Sequence, residues 1–449
     1  MSGVRGAGRC WQLIACVALA SATSTAQENP NAAQPIDLPT ALRLAGARNL
    51  DVAIARERLA EARAAEESAR EQFFPWLSPG AGYRRHEGRI QKVEGTIIDV
   101  TKQSYDAGAA VRAQVDLGDA YFKTLAAHQL VSAAGEGLDA QSRDAVLAAA
   151  EGYFDLAKAQ AAVGVAGEGV RISEDYKNQL HQAVDIGIAF KGEELRVRVQ
   201  TERERLRLRQ TEEEQRVAAA RLAQTLHLDA LVELVARDAD LAPLSLPGAD
   251  APLAALVRQA LDARPELKQS RALMAAARET KVGVIYGPMI PSVGVQVFAG
   301  GLGGGVNNDT DHFGDAEDYF AGLSWRIGPG GLFDFGRIHA AEARLHGAQV
   351  AEEKLKDEIT RQVVETDARV RSLADQLATV KGQLSAAGES LRLTRQRKEF
   401  GVGNVLENIQ AEEDLTRARN DYIAAIAEYD KAQYRLRYAT GASPALPPQ

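Results

Sequence analysis

The chain has 449 residues, a formal net charge of −8, and 45% hydrophobic but only 6% aromatic residues. Alanine supplies much of that hydrophobicity, and the abundance of Ala, Glu, Arg, Leu and Gln is the composition of long helices rather than of large packed cores. The acidic balance, with no segment in which Lys and Arg accumulate unopposed, argues against a nucleic-acid partner.

The first residues read as an export signal. Arg5 and Arg9 precede an apolar stretch from Trp11 to Ala20, and Ser24-Thr25-Ala26 offers small residues for cleavage, so residues 1–26 are expected to leave as a signal peptide. Leu13-Ile14-Ala15-Cys16 also has the form of a lipoprotein box, which would make Cys16 an acylated N-terminus. With cleavage after Ala26, both cysteines, Cys10 and Cys16, depart, and the mature chain needs no disulfide in an oxidising envelope. After the signal, no stretch approaches the ~18 consecutive apolar residues of a spanning helix. Any crossing of a membrane must therefore be made by strands.

The mature chain is written twice. Leu42 to Tyr83 returns as Val257 to Gln296, with Ala45 matching Ala260, Arg56 matching Arg271 and Ala62-Arg63 matching Ala277-Arg278 at one constant offset. The expected repeats are residues 27–237 and 253–440, with a Pro- and Leu-rich linker at 238–252 crossing the outside and a flexible tail at 441–449. Each repeat reads as short helix, strand, strand, long helix, short helix.

In the first copy the spacing predicts one helix from Leu38 to Gln72, with Asp37 as its cap and Pro39 in its first turn. Strands follow at about 75–85 and 105–117, joined by a loop from Arg84 to Ser104. The second strand places Tyr105, Ala107, Ala109, Val111, Ala113, Val115 and Leu117 on one face and Asp106, Gly108, Arg112, Gln114 and Asp116 on the other. A helix from Lys123 to Ile186 would be roughly 95 Å long, and a shorter one runs from Glu193 to Leu226 beyond the break at Gly187.

The second copy repeats the design, with strands at about 291–301 and 319–327 and a loop between them from Gly300 to Asp318. The Asn307-Asn308-Asp309-Thr310-Asp311 segment of that loop lacks EF-hand spacing and reads as solvated. The long helix, Gly336 to Phe400, carries a seam of Ile359, Val363, Thr366, Val370, Leu373, Leu377, Val380, Leu384, Ala387 and Leu391 in alternating steps of four and three, a coiled-coil period. Shorter helices run from Leu253 and from Asn404 to Ala439. No phosphate loop, nucleophile elbow or metal-spaced histidine set accompanies them, and His339 and His346 read as helix-surface residues. Nothing points to an enzyme or to a cofactor.

Strands of about ten residues with one apolar and one polar face fit an outer-membrane barrel. Four strands cannot close a barrel, and open edges are not tolerated in lipid, so other copies of the chain must complete the sheet. Three copies give twelve strands and room for a water-filled lumen. The reading is a homo-oligomeric tube, with a short barrel in lipid and a helical cylinder behind it.

In the order of its elements the chain resembles the TolC-like outer membrane efflux protein family. The best local match is the segment from Lys398 through Phe400-Gly401-Val402-Gly403-Asn404 to Ala411, which is similar to the family's second helix-turn-helix tip; Asp185-Ile186-Gly187-Ile188-Ala189-Phe190-Lys191-Gly192-Glu193 is its first-copy counterpart. The resemblance implies a mainly α fold with a membrane barrel, four strands per chain in a trimeric 12-strand barrel, and a long periplasmic tunnel. It implies a passive exit duct for efflux or type I secretion, in the outer membrane of a Gram-negative bacterium, with a periplasmic adaptor and an inner-membrane transporter as partners. It also places Glu407 and Gln410 at the acidic aperture positions, with an amide replacing one acid, and sets Glu193 opposite Lys398 as a polar latch. Gly187, Ile188, Phe190, Gly401, Val402, Gly403 and Asn404 would be the tip residues that meet the adaptor. The competing class is a periplasmic coiled-coil adaptor or scaffold, which would have one helical hairpin where this chain has two.

Overall fold

The computed structural model describes residues 34–229, 231–237, 241–246, 251–306, 312–399 and 405–442. A short strand, β1 (Gln34–Ile36), leads into α1 (Leu38–Arg48) and α2 (Leu50–Glu71). Asp37 starts α1 by accepting from the Thr40 amide at 2.9 Å. The single helix expected from Leu38 to Gln72 is instead two. Asn49 leaves the helical region at ψ 133°, and its Oδ1 accepts from the amides of Asp51 and Val52 as the cap of α2. Its Nδ2 donates to the carbonyl of Thr225 at 2.9 Å, so the break is held from outside the helix.

Next come β2 (Trp76–Gln91) and β3 (Ile97–Asp116), then α3 (Leu117–Asp185) and α4 (Lys191–Thr225). The strands take in most of the expected loop between Arg84 and Ser104, because every residue from Trp76 to Gln91 pairs with β3. After β4 (Leu234–Ala236) the second repeat runs α5 (Leu253–Ala263), α6 (Pro265–Tyr286), β5 (Ser292–Val306), β6 (Gly314–Ser324), α7 (Phe335–Glu399) and α8 (Val405–Ala439). Here β6 ends before Trp325 and Ile327, which the alternation had placed on it. Ile327 instead bridges to Leu332 in a turn with positive φ at Gly328, Gly330 and Phe333.

The four long strands form one antiparallel sheet in the order β2-β3-β5-β6. Its register lines up Leu77, Val111, Val297 and Tyr319 in one row, then Ala113, Val295 and Ala321, then Val115, Val293 and Leu323. Directly opposed residues share a face, so these rows make one apolar surface. Arg112 and Gln296 lie on the other face, as do Asp116 and its hydrogen-bonding partner Ser292. Gly108 and Gly300 pair beneath the Phe298 ring; a Cβ on Gly108 would sit 2.5 Å from the Ala299 carbonyl, so only glycine fits.

The helices stack as their lengths require. With 69 residues α3 reaches ~104 Å, and with 65 residues α7 reaches ~98 Å. Each is flanked by two shorter partners end to end, α2 and α4 beside α3, and α6 and α8 beside α7. Where the partners meet lies the main core, formed by Leu42, Tyr153, Phe154, Leu156, Leu222, Leu226 and their neighbours. A second core joins Leu256, Leu267, Ile359, Val363, Val370 and Leu436, so the upper part of the predicted seam is the buried face of α7. The extended segment 241–246 is tied to α8: the Leu244 amide donates to Asp430 Oδ1, and the Leu246 amide to Gln433 Oε1, both at 2.8 Å. Among the described residues no helix is long and apolar enough to cross a membrane, and no group of His, Cys, Asp and Glu has the arrangement of a metal site.

Candidate functional site

The end of the helical rod remote from the sheet is made by the α3–α4 and α7–α8 hairpins. In the first, α3 stops because Gly187 takes φ +75°, a left-handed position that costs glycine least. The Ile188 and Ala189 amides fold back to the Ala183 carbonyl, and α4 begins at Lys191 after Phe190. This reversal leaves Ile186, Ile188 and Phe190 on the outside, with Phe190 81% exposed. Three large apolar side chains held out by a tight turn form a surface suited to a partner.

The turn is braced by charge. Glu194 bonds Lys191 and also His181, the latter at 3.0 Å, and His181 lies 3.6 Å from Asp185. The Lys191 ammonium holds the Glu194 carboxyl below its ordinary range, and the His181 contact works in the same direction. Glu193, one residue earlier, is half-buried near Tyr176, whose hydroxyl is pushed up to about 12, first by burial and then by the negative charges of Glu412 and Glu193.

Beside this hairpin stands the start of α8. Val405 and Ile409 pack on Tyr176, Leu180 and Val197, with Ala189 completing a small apolar cluster. Above it the interface turns polar. Ser173 and Thr201 share a hydrogen bond at 2.9 Å, and Gln200 donates to Glu204 at 2.9 Å. Glu204 Oε2 and Asn408 Oδ1 are buried there without partners among the described residues, and burial raises the Glu204 carboxyl above its ordinary range. The α3–α4 hairpin thus meets α8 through an apolar contact at the very tip and a poorly satisfied polar seam above it. Such a seam is costly to keep dry and is a weak place in the packing.

Of the residues singled out by sequence, the structure places Gly187, Ile188 and Phe190 on the exposed turn and Glu407 and Gln410 on the exposed side of α8. Glu407 is not a bare acid: its carboxylate lies 3.3 Å from the guanidinium of Arg397 on α7. Gly401, Val402, Gly403 and Asn404 lie outside the described residues, as does the side chain of Lys398, the penultimate residue of α7. Sequence reasoning passed over Arg397, the Tyr176–Ile409 contact and the buried Glu204. Of these only Ile409 carried a signal, as an apolar residue within the tip segment that ends at Ala411.

Comparison with known proteins follows the same geometry. The chain is 27% identical over 396 residues to protein CyaE of Bordetella pertussis, covering 85% of this chain and 79% of that protein. Among solved structures, a membrane protein from Pseudomonas aeruginosa superposes with a TM-score of 0.76 at 19% identity, covering 90% of this chain and 93% of its own. The Campylobacter jejuni CmeC outer membrane channel also gives 0.76, at 14% identity, covering 90% and 85%. The family described as outer membrane efflux protein matches residues 41–226 and 256–442, one stretch in each repeat. Two matched stretches sharing one fold leave no place for the single hairpin of an adaptor, and the chain belongs to the outer membrane efflux protein family.

Proposed function

We propose that this chain acts as a homotrimer, its three sheets closing one 12-strand barrel, and that its helix tips both gate the tube and dock onto a periplasmic adaptor served by an inner-membrane transporter. As a family member the chain is an outer-membrane exit duct of an efflux or secretion system, with its barrel in the outer membrane of a Gram-negative bacterium and its helices in the periplasm. The observation that carries the trimer is the sheet itself. It leaves β2 and β6 as open edges and exposes Leu77, Val111, Tyr319 and Leu323 on one face. Unpaired edges do not persist in lipid, and sheets joined edge to edge remove them.

The gate reading rests on the tip. In this reading Gly187, Ile188 and Phe190, with the sequence positions Gly401, Val402, Gly403 and Asn404, meet the adaptor, while Glu193, Lys398, Glu407 and Gln410 govern the aperture. Opening moves the two hairpins apart across the contact of Val405 and Ile409 with Tyr176 and Leu180, and the polar seam above it lowers the cost. Transport is passive, since the tube needs only an aperture and a lumen. The test is fractionation followed by planar-bilayer recording. The expected outcome is a heat-modifiable oligomer in the outer membrane with small single-channel conductance that rises when Ile409→Ser loosens the tip. A soluble monomer would sink the assembly, and unchanged conductance in Ile409→Ser and in charge-reversed Glu193→Lys would sink the gate.

A further inference from the structure

We propose that Arg397 sets the charge of the aperture by acting as the counter-ion of Glu407, so that the narrow end of the tube is close to neutral and discriminates weakly between cations and anions. The inference rests on the reading of the tip as the gate. It begins from two observations. Gln410 is an amide, so Glu407 is the one acid of the two aperture positions. Its carboxylate then faces Arg397 across the α7–α8 hairpin at 3.3 Å, and both side chains are about half exposed, at 47% and 58%.

The pair is specific to the hairpin geometry. Arg397 lies near the C-terminus of α7, and Glu407 lies in the first turn of α8. Each charge therefore also suits its own helix dipole, and that alone would account for the residue types. It does not account for their meeting. Farther from the turn the same two helices pair Arg395 with Glu412 at 3.4 Å, so the basic side chains of α7 consistently reach the acids of α8. In solvent this contact adds little stability. At a constriction it has a larger effect, because a permeating ion passes within a few ångströms and responds to the sum of nearby charges.

The consequence is a division of roles. Glu407 attracts cations to the aperture, and Arg397 cancels that attraction without touching the pore's mechanics. The experiment uses the full-length oligomer in planar bilayers at low ionic strength, reading the K+/Cl− permeability ratio and block by La3+ added on the periplasmic side. Arg397→Gln is expected to raise cation preference and tighten La3+ block about tenfold, a size set by removing a unit charge near a trivalent ion. Arg397→Lys should keep the wild-type values, and Glu407→Gln should weaken block. In Arg397→Gln/Glu407→Gln the block should fall back to about the wild-type level or below. If Arg397→Gln alters only the melting temperature while Glu407→Gln still weakens block, the arginine is a helix-end residue and the inference is overturned with the gate intact. Should Glu407→Gln change neither readout, Glu407 does not face the aperture, and the gate reading falls along with the inference.

Discussion

Asp430 is fully buried where the segment between the repeats crosses α8. Its Oδ1 accepts from the Leu244 amide, its Oδ2 has no partner among the described residues, and burial pushes the carboxyl up to about 7. A carboxyl whose folded pKa is raised from 3.8 binds protons in the native state that the unfolded chain has released, so stability falls as pH rises from about 4 to about 7. Asp430→Asn keeps the acceptor for Leu244 and removes the charge. The variant should melt higher than wild type at pH 8, by up to about 2 kcal/mol of stability, with the difference vanishing near pH 4. Thermal melts of both proteins across that range check it. A difference that grows toward low pH would refute the assignment. Nothing in the local sequence marks Asp430, because neighbouring Glu428 and Lys431 are charged as well, and only the crossing of segment 241–246 separates a buried acid from solvated ones.

Among elements, the long helices and the break at Gly187 were legible, and the interruptions of the shorter helices were not. The seam from Ile359 to Leu391 is readable because a four-three step survives wherever a helix packs along its length, and Ile359, Val363, Val370, Leu373 and Leu391 are buried. Asn49 lies inside a run whose propensity and periodicity continue on both sides. It becomes a break because its side chain prefers to cap α2 and bond Thr225 over remaining in the helix. The second repeat breaks at the equivalent Arg264, which uses its guanidinium to bond Glu266 and Gln362. Asn49→Ala removes the cap and the tie together. We expect a loss of about 1–2 kcal/mol and faster hydrogen exchange at the amides of Asp51 and Val52, measured against unchanged exchange in α7. Uniform acceleration would mean that the residue supports the whole rod and not the junction. Strand ends were also misjudged, since residues from Arg84 to Gln91 are mostly polar and only their pairing with the start of β3 shows them to be sheet.

At the scale of the whole molecule the sheet edges decide the assembly. Ser78 on β2 and Asp318 on β6 lie in one row but three strands apart, roughly 14 Å, beyond the reach of a disulfide within one chain. Cysteine at Ser78 combined with cysteines at successive β6 positions from Gly314 to Ser324 should therefore yield a covalent ladder ending at trimer on denaturing gels. Absence of any cross-link along β6 would exclude β6-to-β2 closure. The apolar face carrying Val111 was legible by alternation alone, whereas its register against Val297 and the order β2-β3-β5-β6, which puts one hairpin of each repeat side by side, came from the structure.

The duplication, the reach of the helices, the two faces of the strands and the tip glycine at Gly187 follow from the amino-acid order, because periodicity and glycine's tolerance of positive φ act within a few residues of chain. What meets across the fold does not. The Arg397–Glu407 pair, the contact of Ile409 with Tyr176 and the burial of Asp430 join residues on different elements, and their partners are chosen by hairpin geometry, helix stacking and the path of segment 241–246. Local pattern fixes which faces are apolar; packing over ~100 Å of helix decides which charges end up paired, buried or left at the mouth of the tube.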